Sequence, residues 1–213
     1  MTGILMKQRN VAIIIFDDVE VLDFCGPFEV FSVTKEQDDS NPFNVYTVAE
    51  KTPILARNKL SINPNYTLTT CPQPDILVVP GGGGRRADGS SFGTRKEMHN
   101  ETLLKWINKL YPNAEQILSV CTGALILAKA GLAENLVATT HHGAFNELRA
   151  IAPNTDIRED ERIVDNGKII FSGGISAGID AAFYLISKLL SEDTALKTAT
   201  YMEYDWKEKG AKS

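Results

Sequence analysis

Three predominantly apolar runs recur along the chain, at residues 11–16 (VAIIIF), 75–80 (DILVVP) and 116–120 (QILSV). Such runs, rich in Val and Ile and bounded by turn residues, are typical of strands that are buried on both faces of a parallel sheet. Helical patterns lie between them. The alternation predicts an α/β sandwich with a mostly parallel central sheet and helices on both faces.

The remaining elements follow from periodicity and from turn residues. Helices are predicted at residues 26–37, 94–111, a segment after Cys121, about 143–150, 176–190 and 191–206. Pro27 lies close to the start of the first, and Ser191 can N-cap the last. A short strand is predicted at 137–140. Segments 53–68 and 162–174 have antiparallel character, and Asp165-Asn166-Gly167 is typical of a hairpin turn.

Composition narrows the class of protein. The 213 residues are 43% hydrophobic, enough for one core, so we expect a single domain over residues 1–213. A net charge of -5 without a basic stripe argues against nucleic-acid binding, and Arg85 and Arg86 are interpreted as a local pair only. No signal peptide or membrane span is predicted, so we expect a soluble, cytoplasmic protein.

Cys25, Cys71 and Cys121 form no C-x-x-C pair, which indicates neither a zinc site nor a disulfide framework.

One of these cysteines stands at the end of a predicted strand. The sequence SVCTG runs straight from this strand into a helix, which is the layout of a nucleophile elbow. Cys121 would then lie at a helix N-terminus, where the helix dipole lowers a thiol pKa and favours a thiolate near neutral pH. A buried, inert cysteine is the alternative, and this motif alone leaves both open.

Two further strand ends bear on that choice. Residues 81–84 are four glycines after a core strand, and the Gly82 N–H could join that of Thr122 in an oxyanion hole; a plain flexible loop is the alternative. After the first strand, Asp23 lies between Leu22 and Phe24, where a carboxyl group needs a partner or a raised pKa and suits proton transfer. The neighbouring Asp17, Asp18 and Glu20 are predicted to form a solvated loop, and Glu29 to lie on a helix surface.

The ordered motifs LDFCGPFEVF, VVPGGGG, SVCTGALILAKAGL, ATTHHGAFNEL and FSGGISAGIDAAFYLI resemble the landmarks of the ThiJ/PfpI superfamily, which is related to class I glutamine amidotransferases. The resemblance covers nearly the whole chain. It implies a flavodoxin-like α/β sandwich, usually dimeric, with Cys121 on the elbow and Asp23 against its sulfur.

The residue after the cysteine narrows the subfamily. Peptidase-like members carry His there, whereas this chain has Thr122, which argues against a peptidase. LD-x-x-GP, CTGA and SAGID are similar to isocyanide (isonitrile) hydratases and equally to the sensing domain of AraC-like regulators. Because the chain ends soon after its last helix, without room for two helix-turn-helix units, we favour an enzyme or a stand-alone relative of one.

The hydratase resemblance implies a role for each candidate residue. Cys121 attacks the isocyanide carbon and Asp23 supplies a proton, with Thr122 and Gly82 as N–H donors and with no metal or organic cofactor. His141 could orient water or polarise the thiolate, whereas His142 falls where such hydratases often carry Trp. Asp180 matches a residue implicated in that group, or is a carboxylate that interacts with a helix dipole.

Two alternatives to this lyase remain from the sequence. Cys121 could be a redox or electrophile sensor, with Asp23 hydrogen-bonded to the modified sulfur. The chain could also be a small-molecule-binding relative without turnover.

Overall fold

The computed structural model describes residues 8–207 and has a seven-stranded, mostly parallel sheet at its centre. The strands are β1 (Arg9–Ile14), β2 (Phe43–Ala49), β3 (Ile54–Leu55), β4 (Ser61–Ile62), β5 (Tyr66–Thr67), β6 (Ile76–Val79), β7 (Gly83–Arg85), β8 (Ser91–Gly93), β9 (Gln116–Val120), β10 (Val137–Ala138), β11 (Asp156–Ile157), β12 (Ile163–Asp165) and β13 (Ile169–Ser172). The helices are α1 (Val21–Val33), α2 (Thr94–Glu97), α3 (Glu101–Leu110), α4 (Gly123–Lys129), α5 (Phe145–Ile151), α6 (Ala177–Leu189) and α7 (Glu192–Tyr201).

The main sheet has the strand order β12-β13-β9-β6-β1-β2-β5, in which β12 alone runs antiparallel to its neighbour. The three apolar runs form β1, β6 and β9 at its middle, and every residue of β6 and β9 is buried. Helices α1, α6 and α7 pack together, while α2, α3 and α5 pack around α4. Since the central strands are covered on both faces, the predicted α/β sandwich is confirmed.

Local boundaries differ where tertiary contacts overrule the local pattern. Helix α1 begins at Val21, so Pro27 lies inside the helix rather than at its start. Its first turn is held by the Gly81 N–H, which donates to the Asp23 carboxylate. The single helix predicted over 94–111 is two helices, because the Asn100 side chain caps α3 by accepting from the Leu103 N–H.

The antiparallel predictions are confirmed in two places and wrong in one. Strands β3 and β4 pair antiparallel, as do β12 and β13, whose turn contains Gly167 with φ +83°. Strand β5, from the same predicted antiparallel segment, instead extends the main sheet parallel to β2.

The carboxyl ends of β1, β6, β9 and β13 meet at one edge of the sheet. The chain leaves β1 toward β2 on one side and returns as β6 on the other, so β1 and β6 flank a topological switch point, where ligands of open α/β sheets bind. The segments that follow these strands bring Asp23, Gly82, Cys121 and Gly174 to that edge.

Among residues 8–207, no helix is both long and apolar enough to cross a lipid bilayer.

Candidate active site

Cys121 occupies a sharp turn between β9 and α4. Its φ of +57° is rare for a residue with a side chain, and the turn is fixed by hydrogen bonds. The Cys121 N–H donates to the Ser172 and Gly173 carbonyls (3.2 and 3.1 Å), and its carbonyl accepts from the Thr140 hydroxyl (2.7 Å). A Cβ at Gly123 would lie 2.0 Å from the Val79 carbonyl oxygen, so only glycine fits after the turn. This is the geometry of a nucleophile elbow.

Asp23 lies beside this cysteine and is fully buried. Its Oδ2 accepts from the Gly81 N–H at 3.1 Å, whereas Oδ1 is buried without a hydrogen-bond partner of standard geometry. The carboxyl group interacts with the Cys121 thiol, and this interaction partly offsets the rise that burial causes in the pKa of Asp23 and adds to the rise that burial causes in the pKa of Cys121. The thiol is therefore the group placed to share a proton with the carboxyl.

Burial dominates the ionisation of both groups. It raises the pKa of Asp23 to about 7, and Glu20 adds to that rise. Burial, and then the charge of Asp23, raise the pKa of the Cys121 thiol, although the Thr122 N–H opposes this. The prediction of a thiolate preformed by the helix dipole is therefore wrong. The pair therefore consists of a thiol with a raised pKa next to a carboxyl with a pKa of about 7.

Thr122 forms the centre of a buried hydrogen-bond chain. Its Oγ1 accepts from the Gly82 N–H (3.0 Å) and donates to the Thr94 Oγ1 (3.1 Å). The structure thus corrects the assignment of Gly82, whose N–H is engaged by a side chain instead of being free for an oxyanion. Thr94, which sequence analysis did not single out, is completely buried and completes the chain. These hydrogen bonds hold Thr122 in place, and the backbone N–H of Thr122 stabilises negative charge on the Cys121 sulfur.

His141 lines the same cavity as Cys121 and Thr122. Its Nδ1 accepts from the Gly143 N–H at 3.1 Å, so the neutral ring carries its proton on Nε2. Burial, His142 and Arg95 all lower the pKa of His141, which keeps the ring neutral at pH 7. His142 is exposed, and its ring lies 4.2 Å from that of His141, centroid to centroid. His141 is thus a neutral hydrogen-bond donor in the wall of the cavity that also contains Cys121.

Gly174 closes the site over the sulfur and was not predicted individually. A Cβ there would lie 2.6 Å from the Cys121 Sγ and 2.8 Å from the His141 Cδ2. Because the backbone has room for neither contact, we expect Gly174→Ala to displace the thiol and to slow its alkylation by iodoacetamide at least about tenfold. Gly173→Ala is the matched control, since a Cβ there meets nothing closer than 3.8 Å. Equal alkylation rates in the two variants would contradict this view of the site.

Asp180 lies outside this constellation. In the first turn of α6 it accepts from Arg162 (2.6 Å) and from the Tyr204 hydroxyl (2.9 Å). It lines a separate cavity beside Trp206 and not the one that contains Cys121. Of the two interpretations of Asp180, the carboxylate at a helix N-terminus is the one that matches its position.

The cavity above the sulfur has a volume of about 620 Å³. Its walls include Cys121, Thr122, His141, Ile175 and the loop glycines, and its charged residues are Glu20, Arg57, Arg85, Arg95 and Glu147. Glu20 was predicted to be solvated, but its side chain is only 16% exposed and pairs with Arg57 at 2.8 Å. Arg85 was interpreted as part of a local pair, yet it faces this cavity. Within residues 8–207, no three His, Cys, Asp or Glu side chains are grouped so that they could hold a metal ion.

Comparison with known proteins extends these observations. The model of the DJ-1/PfpI family matches residues 9–192. An isonitrile hydratase from Pseudomonas putida is 31% identical over 196 residues, which cover 92% of this chain and 78% of that protein. A ThiJ/PfpI family protein from Pseudomonas syringae superposes with a TM-score of 0.80 at 26% identity, covering 96% of this chain and 78% of that one. Drosophila melanogaster DJ-1beta shares the fold, with a TM-score of 0.78 at 16% identity, over 94% of this chain and all of that one.

Proposed function

Because the chain belongs to the DJ-1/PfpI family, we propose that it is a cysteine-dependent hydro-lyase, which adds water to an isocyanide and releases an N-substituted formamide. The observation that carries the proposal is the buried Asp23–Cys121 pair at an elbow followed by Thr122 instead of His. The similarity to an isonitrile hydratase over 92% of the chain supports it.

The first half of the reaction uses the shared proton of the pair. The Cys121 thiol transfers its proton to the Asp23 carboxylate as the sulfur attacks the terminal isocyanide carbon, and Asp23 then delivers that proton to the same carbon. The product is a thioimidate, in which carbon has been inserted between sulfur and hydrogen. A carboxyl with a pKa of about 7 suits both steps, because it can accept and donate near neutral pH.

The second half releases the product. Water attacks the thioimidate carbon, the carbon–sulfur bond breaks, and the two water protons go to the nitrogen and, through Asp23, back to the sulfur. In this proposal the neutral His141, with its proton on Nε2, donates to this water or to the substrate nitrogen. The Thr122 N–H stabilises the sulfur while it is negative. All atoms of the formamide come from isocyanide and water.

A redox-sensing role has less support. Sensor cysteines are exposed and have a low pKa, whereas burial raises the pKa of Cys121, which is 5% exposed.

Members of the DJ-1/PfpI family are commonly homodimeric, and we propose the same for this chain.

The proposal is tested with a panel of alkyl and aryl isocyanides. We expect the purified protein to convert several of them to the corresponding formamides, detected by mass spectrometry, at rates well above those in buffer. Boiled protein is the control for general catalysis. If no isocyanide is converted across the panel, the proposal is wrong.

A further inference from the structure

The cavity above Cys121 carries a surplus of positive charge. Arg57 is balanced by Glu20 at 2.8 Å, but Arg85 and Arg95 share the single carboxylate of Glu147. The Arg95 Nε lies 2.9 Å from one Glu147 oxygen, whereas the Arg85 Nη2 lies 3.4 Å from the other. Among the described residues that line the cavity, three guanidinium groups therefore stand against two carboxylates.

The two arginines differ in how firmly they are held. The Arg95 side chain is 14% exposed and makes the shorter contact, so it anchors Glu147. The Arg85 side chain is 57% exposed and makes the longer contact, together with a hydrogen bond to the Ser91 hydroxyl. Exposed ion pairs of this kind contribute little stability, so Arg85 can exchange Glu147 for a substrate group at small cost.

The surplus charge is felt at the reacting centre. Arg95 contributes to the lowered pKa of His141, and Asp23 carries a full negative charge only above neutral pH. A planar guanidinium that faces a small cavity suits a carboxylate, which it can bind through two parallel hydrogen bonds. Among residues 8–207, the only large apolar side chain in the wall is that of Ile175, which leaves room for a short substrate body.

We propose that this site selects anionic substrates, namely isocyanides that carry a carboxylate, and that Arg85 binds that carboxylate. The reactive group of the substrate rests on the proposed function, whereas the charge preference does not. The two are therefore tested separately.

Charge preference is measured without turnover, with iodoacetate and iodoacetamide. These reagents differ chiefly in charge, and both form a thioether at sulfur and release iodide. We expect iodoacetate to be favoured at Cys121, relative to a cysteine in a short neutral peptide, by about three- to tenfold at low salt, and the preference to shrink at high salt. Peptide mass spectrometry separates Cys121 from the exposed Cys25.

Arg85→Gln is expected to abolish this preference. Arg158→Gln is the matched control, because Arg158 is similarly exposed and paired with Asp156 but does not line the cavity. A wild-type ratio equal to that of the peptide, or an unchanged ratio in Arg85→Gln, would overturn the proposal.

Turnover then connects the preference to the reaction. We expect the ratio of kcat/KM for isocyanoacetate to that for cyclohexyl isocyanide to fall at least about fivefold in Arg85→Gln and to stay constant in Arg158→Gln. If cyclohexyl isocyanide is hydrated but the ratio does not respond to Arg85→Gln, the anionic specificity fails while the hydratase stands. If neither compound is hydrated but the alkylation preference holds, the hydratase fails while the anion site stands.

Discussion

Replacing Cys121 by serine is expected to abolish formamide formation, with a loss in kcat of at least about a thousandfold. The loss would not come from a change in structure, because a serine side chain is similar in size and can occupy the same turn at φ +57°. A serine hydroxyl is far less acidic than a thiol, and a carboxyl with a pKa of about 7 cannot deprotonate it effectively. The measurement is the formamide yield over time with the best isocyanide of the panel.

The other two cysteines supply the controls for this experiment. Cys25 is exposed on α1 and Cys71 is half-buried, and neither lines the cavity. Cys25→Ser and Cys71→Ser should therefore retain turnover, and an unfolding transition like that of the wild type should show that Cys121→Ser is folded. Turnover by Cys121→Ser within tenfold of the wild-type rate would exclude a covalent thioimidate.

The framework of this site was accessible from local sequence. The apolar runs that form β1, β6 and β9 could be recognised because the central residues of each strand are buried on both faces, so most of their positions are apolar. The elbow followed from a strand that ends in Cys121 and is followed by small residues. Asp23 was recognisable because a carboxylate between Leu22 and Phe24 conflicts with its apolar neighbours.

The parts that local sequence did not reveal arise where distant loops meet. Thr94 follows a β-hairpin and Gly174 follows β13, and each matters only through contact with the elbow. The thiol pKa was predicted in the wrong direction because the helix dipole is visible in the sequence, whereas burial is not. In this fold burial raises the thiol pKa by more than the Thr122 N–H before α4 lowers it.

The charge of the cavity could not be predicted from local sequence either, because it depends on which distant side chains meet in the fold. The adjacent Arg85 and Arg86 look alike in the sequence, but only Arg85 lines the cavity, while Arg86 lies over the Phe92 ring. Glu147 belongs to a helix more than sixty residues downstream. The charge of the cavity is thus a property of the fold and not of any motif.

Asp23→Asn is expected to lower kcat/KM for isocyanides at least about a hundredfold, because it removes the group that carries the proton from sulfur to carbon. The amide has nearly the same shape and can still accept from the Gly81 N–H, so the buried packing is preserved. This separates loss of proton transfer from loss of structure. Asp17→Asn, at a residue that pairs with Lys51 outside this cavity, is the matched control and should retain activity.

The pH dependence gives the sharper test. The reactive form holds one proton within the pair, on sulfur or on carboxyl, and the doubly protonated form has no base. Since Asp23 has a pKa of about 7, wild-type kcat/KM should rise with pH through about 7. It should then stay level into the alkaline range, because the thiol pKa is raised and the last proton leaves late. Asp23→Asn should lack the rise near pH 7.

Glu20 provides an independent shift of the same profile. Its negative charge contributes to the raised pKa of Asp23, so Glu20→Gln should move the rise in kcat/KM to lower pH. A structural role for Asp23 would leave the position of that rise independent of Glu20. A wild-type profile that is flat between pH 5.5 and 8.5, or one that Glu20→Gln shifts upward, would remove Asp23 as the proton carrier.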